Sequence, residues 1–137
     1  MNKLSFDQFF NDIESLQYSV VKLSPDFPSY DPGSDIDIYC RNIEFFSRVV
    51  ISYLQNYVDE SFSIYTKKSK NKIQVDLLEG KKIHFRFDLI SEIPDYTNIK
   101  IKPSFFDVVI ESAVYKEFNG FIIKTPKAED ECILRYV

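Results

Sequence analysis

Between residues 42 and 90 the period of the apolar residues changes once, and this change limits the fold more than any other feature of the chain. From 42 to 58, Ile43, Phe46, Val49, Val50, Tyr53, Leu54 and Tyr57 fall on one helical stripe, with Asn42 placed as its N-cap. After that the period is two. Strand-like runs occupy 62–66, 73–78 and 83–90, the last two joined by the hairpin signal Glu79-Gly80-Lys81. In the third run Ile83, Phe85 and Phe87 alternate with His84, Arg86 and Asp88, so the two sets face opposite ways and His84 shares a face with Asp88.

The flanking segments follow the same logic. Phe6, Phe9, Phe10, Ile13 and Leu16 predict a helix over 4–16, opened by a capping box of Ser5 and Gln8. Strands are expected at 18–23 and 35–39, separated by a loop that Pro25 and Pro28 enforce. Pro94 and Pro103 bound an irregular stretch, and a short helix follows near 104–111. Asn119-Gly120 predicts the turn of a hairpin over 114–124. Thr125-Pro126 opens a last helix, with Pro at its first position and Glu129, Asp130 and Glu131 in its first turn. The order predicts an α/β (α+β) two-layer fold, a mixed sheet with helices packed mainly on one face. At 137 residues the chain reads as a single domain, 1–137.

Charge and cysteine content narrow the function classes. A net charge of −4 carries no basic footprint for extended nucleic acid. The one basic cluster, Lys67-Lys68-Ser69-Lys70-Asn71-Lys72, reads as a solvated loop between strands or as a contact to an anionic substrate. Cys40 and Cys132 lack zinc-ligand spacing, and Cys40 reads as a small buried hydrophobe. No apolar run approaches the ~18 residues of a membrane span. No leader pattern opens the chain, so a cytoplasmic protein is expected.

The chemistry concentrates in Ser34-Asp35-Ile36-Asp37-Ile38. Side chains two apart on a strand share a face, roughly 6–7 Å apart at ~3.3 Å rise per residue. Asp35 and Asp37 therefore converge while Ile36 and Ile38 anchor the opposite face. Two carboxylates so close repel, and one tends to hold a proton unless a cation intervenes. Mg²⁺ or Mn²⁺ suits such a pair, since these ions take one or two carboxylates and fill the remaining positions with water and substrate phosphates. A solvated strand start is the plainer reading. A third carboxylate is expected from a neighbouring strand. Asp88, among apolar neighbours, is the first candidate and Asp76 the competitor.

The Asp-x-Asp strand, the long helix after it and the later strand acid resemble the DNA polymerase beta-like nucleotidyltransferase superfamily, in particular small bacterial nucleotidyltransferase-like proteins. Arg86-Phe87-Asp88-Leu89-Ile90 and the late Thr125-Pro126 extend the resemblance over about 18–137. It implies Mg²⁺-dependent transfer of a nucleotide from an NTP to a hydroxyl of a small, sugar-like acceptor. Asp35, Asp37 and Asp88 are then the catalytic metal ligands, and Asp88 takes the proton of the attacking hydroxyl. The family's phosphate-gripping serine falls on Ser24, but Leu23 stands where its glycine belongs. A leucine side chain crowds the triphosphate, so phosphate binding would pass to Lys22 or to the backbone around Gly33-Ser34. Gly33 and Ser34 otherwise read as the turn into the strand, and Ser24 as a turn residue before Pro25. A homo-oligomer or helical partner is expected to complete the acceptor site, because many members carry a further helical domain. Alternatives to the enzyme are a nucleotidyltransferase-fold binding or regulatory module that has lost catalysis, and an interaction protein with solvated aspartates.

Overall fold

The change of period after residue 58 marks a passage from one layer of the molecule to the other. The computed structural model describes residues 4–93 and 102–136. Its elements are α1 (Phe6–Ile13), β1 (Tyr18–Lys22), β2 (Ser34–Cys40), α2 (Ile43–Tyr57), β3 (Phe62–Ser69), β4 (Lys72–Glu79), β5 (Lys82–Ile90), α3 (Pro103–Glu111), β6 (Val114–Phe118), β7 (Phe121–Thr125) and α4 (Ala128–Tyr136). Every element read from the sequence is present. The irregular stretch expected after Pro94 falls on 94–101, outside the described residues.

Five strands form a mixed sheet in the order β1-β2-β5-β4-β3, with β2 and β5 parallel and the other neighbours antiparallel. The β6–β7 hairpin forms a separate two-stranded sheet, turning at Asn119 and Gly120, both at positive φ. That backbone is what an Asn-Gly pair supplies. The arrangement is α+β with a mixed sheet.

Alternation on the strands sorts the sheet into an apolar and a polar face. Ile36, Ile38 and Cys40 of β2, Ile73, Val75 and Leu77 of β4, and Phe85, Phe87 and Leu89 of β5 are buried in one core. Phe6, Phe9, Phe10 and Ile13 of α1 and Phe46, Val50, Tyr53 and Leu54 of α2 join it. Aromatic rings dominate the layer: Phe9 lies 5.1 Å from both Phe10 and Phe87 and 5.3 Å from Tyr53, centroid to centroid. Burial pushes the Cys40 thiol up to about 12, in keeping with its role as a small core residue. On the opposite face α3 buries Phe106, Val109 and Ile110 against Tyr39, with Leu134 of α4 and Ile90 beside them. The helical layer is heavier on the first face but not confined to it. Among the described residues no helix is long and apolar enough to cross a membrane.

Four local expectations are corrected. Asn42 caps α2, its side chain accepting the Phe45 N–H at 3.2 Å. Ser5, by contrast, makes no side-chain cap bond to α1, and Gln8 instead donates to Asp12 one turn on. The last helix begins at Ala128, so Pro126 lies before it rather than at its first position. The Glu131 N–H bonds back to the Lys127 carbonyl. The basic run is mostly strand, because β3 pairs with β4 as far as Ser69 and Lys72, leaving Lys70-Asn71 as the turn. Lysines suit such an outer strand, where their charge resists unwanted pairing. Finally, a bulge between Leu77 and Leu78 opposite β5 breaks the alternation at His84. His84 therefore packs against the rings of Tyr30 and Phe62, with Tyr30 Oη 2.7 Å from its Nε2, and does not join Asp88.

Candidate functional site

Strand register lays the polar side chains in two rows across the second face of the sheet. One row runs Lys22 (β1), Asp37 (β2), Asp88 (β5), Gln74 (β4) and Lys67 (β3), each the register partner of the next. The adjacent row runs Asp35, Arg86, Asp76 and Tyr65. The parallel pairing of β2 with β5 sets Asp37 directly beside Asp88. The Ile-x-Ile alternation of β2 turns Asp35 to the same side.

One carboxylate oxygen from each of Asp35, Asp37 and Asp88 lies within 4.8 Å of the others. Asp88 is buried and the other two are half-buried. Gln74 Nε2 donates to Asp88 Oδ1 at 2.9 Å, and Lys72 Nζ stands 3.6 Å from the same oxygen. These contacts fix the Asp88 carboxylate in orientation. Burial, reinforced by the hydrogen bond to Asp88 and by the charges of Asp88 and Asp35, pushes the Asp37 carboxyl up to about 7. Lys22 opposes the rise without cancelling it. The three acids thus carry more negative charge than their surroundings compensate, and near pH 7 part of the population keeps a proton on Asp37.

A divalent cation would occupy the same oxygens as that proton. The donors are all carboxylate oxygens, without thiol or imidazole, a set that suits Mg²⁺ or Mn²⁺ rather than zinc. The 4.8 Å limit accommodates one ion, or two at the roughly 3.5–4 Å spacing of two-metal sites. The charge surplus and the donor chemistry therefore fit the metal that the sequence suggests.

Asp76, the competing third acid, is committed elsewhere. It takes a bidentate contact from Arg86, Nε to Oδ1 at 2.7 Å and Nη2 to Oδ2 at 3.0 Å. That bond, with the nearby negative charges, raises the Arg86 pKa above its ordinary value. Asp76 thereby holds a guanidinium one register position from Asp35 (a cation at the edge of the cluster). Asp76→Asn breaks this largely buried pair and is expected to cost about 2 kcal/mol, between exposed and fully buried pairs. Urea unfolding reads the cost, and an unchanged midpoint would show the pair to be idle.

The residues expected to bind a nucleotide's phosphates divide differently. Lys22 joins the row beside Asp37. Ser24 lies two residues further along, its carbonyl accepting the Phe27 N–H at 3.0 Å to close a turn. Ser34 points to the apolar side and donates its hydroxyl to the Asp31 carbonyl at 2.6 Å. Gly33, at φ +93, donates its N–H to the His84 carbonyl at 3.1 Å. Gly33 and Ser34 thus form the turn into β2, and a side chain at 33 would strain it. Leu23 packs on the core and lines a groove of about 420 Å³ with Lys22, Pro25, Thr125 and Pro126. Gln74 and Arg86 were not singled out as site residues from the sequence. The Gln-x-Asp alternation in β4 was the available signal, but its register against β5 was not readable.

No family model, no curated protein and no solved structure matches this chain.

Proposed function

We propose that the chain is a Mg²⁺-dependent nucleotidyltransferase that moves a nucleotide from an NTP to a hydroxyl of a small acceptor. The observation that carries this reading is the convergence of Asp35, Asp37 and Asp88 on one sheet face, with a charge surplus and a lysine at its edge. It is joined to the resemblance to the DNA polymerase beta-like superfamily that the Asp-x-Asp strand and the later strand acid carry.

Bound metal would neutralise phosphate charge and orient the α-phosphate. Asp35 and Asp37 would hold it, with Asp88 as third ligand. The acceptor oxygen forms its bond to the α-phosphorus while the bond to pyrophosphate breaks. The hydroxyl proton passes to Asp88, whose carboxylate is held in orientation by Gln74. Lys22, on the β1 side of Asp37, supplies a positive charge to the phosphates. A second copy or a helical partner completes the acceptor side, and the reaction belongs in the cytoplasm.

One observation favours a second reading. Leu23 fills the position of the family's glycine and packs on the core, which suits a binding or regulatory module without turnover. The test uses labelled NTPs with Mg²⁺ or Mn²⁺ and a panel of sugars and sugar phosphates. Label transfer by the wild type and its loss in Asp35→Asn support the enzyme. Mn²⁺-dependent NTP binding without transfer favours the module. Absence of Mn²⁺ binding, read by electron paramagnetic resonance, would sink both.

A further inference from the structure

The rows that cross the sheet do not stop at the carboxylates. They continue over β4 to β3, where Lys67 and Tyr65 close them. Tyr65 is 57 % exposed and Lys67 is exposed, so this part of the face lies open, whereas the opposite face is packed under α1 and α2. An exposed aromatic ring beside a lysine is the pairing a ring-bearing anion calls for. Lys67 takes part in no ion pair among the described residues. Lys68, one residue on, points to the other side and pairs with Glu44 of α2 at 2.9 Å. Two neighbouring lysines thus have different uses, one tied down on the helical face and one facing the site.

The geometry points to a phosphate-bearing acceptor, resting over β4 with its ring against Tyr65 and its phosphate at Lys67, with Lys72 nearby. This deepens the nucleotidyltransferase reading and rests on it for the word acceptor. Charge complementarity and continuity with the carboxylate row argue for it. Asp88 and Lys67 lie two strands apart, roughly 10 Å between backbones at ~4.8 Å per strand. That span matches a sugar ring with its phosphate, the reacting hydroxyl at Asp88 and the anion at the edge strand. On the far side of the cluster, Lys22 serves the NTP. The site would then have one cation for each substrate, at opposite ends of one row.

The experiment compares ribose 5-phosphate with ribose by two-dimensional NMR titration of the metal-free full chain. Ribose 5-phosphate is expected to shift the β3 amides of residues 65–69 and to bind at least tenfold more tightly than ribose. Lys67→Ala should remove that preference. Lys68→Ala, of equal charge change on the other face, should leave it intact. Equal effects of the two variants would reduce the patch to diffuse charge and overturn the proposal. So would loss in Lys22→Ala with retention in Lys67→Ala. In label transfer, Lys67→Ala is expected to raise KM for a phosphorylated acceptor about tenfold with KM for the NTP unchanged. A rise in the NTP value instead would assign the patch to the triphosphate and overturn the acceptor assignment. The binding arm decides the anion site even if no transfer occurs, so failure of the enzymatic reading is told apart from failure of this one.

Discussion

Asp37→Asn is expected to make the metal-free protein more stable at pH 8 and, under the proposed function, to cut nucleotide transfer steeply. The Asp37 carboxyl moves from 3.8 to about 7 on folding. Between those values the native state binds the proton and the unfolded chain does not. Stability is therefore complete below the unfolded value and is lost as pH rises through about 7. At about 1.4 kcal/mol per tenfold in proton affinity, and discounted by about half because solvent screens this half-buried carboxyl, full ionisation costs on the order of 2 kcal/mol. An asparagine removes the charge and keeps the shape. Its amide can donate to Asp88, so most of that loss should return. Urea unfolding of wild type and variant at pH 5 and pH 8, with chelator, reads the difference, which should open only at the higher pH. Mg²⁺ should then stabilise the wild type far more than the variant. Turnover should fall on the order of 10³-fold, several kcal/mol of lost phosphate charge stabilisation. A variant less stable than wild type at pH 8 would mean that the cluster is not under electrostatic strain.

Phe9→Ala should have the largest effect on folding. Phe9 is wholly buried, and its ring meets Phe10, Tyr53 and Phe87, joining α1 to α2 and to the strand that carries Asp88. Removing a buried phenyl ring loses its transfer free energy and leaves a cavity that rigid neighbours fill poorly, about 4 kcal/mol. Against a typical stability of roughly 5–15 kcal/mol this is a large share. The urea midpoint should drop by about 2 M. Phe9→Leu, which keeps most of the volume, should lose less than half as much. Equal losses in the two variants would argue against cavity formation as the cause.

Local signals were legible where the chain decides its own geometry. The Asn42 cap, the Asn119-Gly120 turn and the alternation of Asp35-Ile36-Asp37-Ile38 depend on neighbours in sequence, and each appears as read. Relations between distant strands were not. Whether Asp76 or Asp88 stood beside Asp37 turned on which strand pairs with β2, and that strand is β5 rather than β4. The face of His84 turned on one bulge at Leu77–Leu78. The capping box at Ser5 failed because Gln8 found Asp12, a competition that no local pattern decides. Asp76 and Asp88 have similar apolar flanks. Only the partner across the strand, Arg86 for one and Gln74 for the other, separates them.

The order β1-β2-β5-β4-β3 also has a bearing on how the chain folds. β1 and β2 are neighbours in sequence, and β3, β4 and β5 form a meander of short turns. Both units close small loops. Only the β2–β5 pairing joins them, and it must enclose α2 and the whole meander, the slow kind of contact in a folding chain. Asp37 and Asp88 face each other across that joint. The carboxylate cluster is therefore the seam between the two units of the sheet. A cation bridging it, as the proposed function requires, would fasten the pairing that loop-closure entropy opposes most.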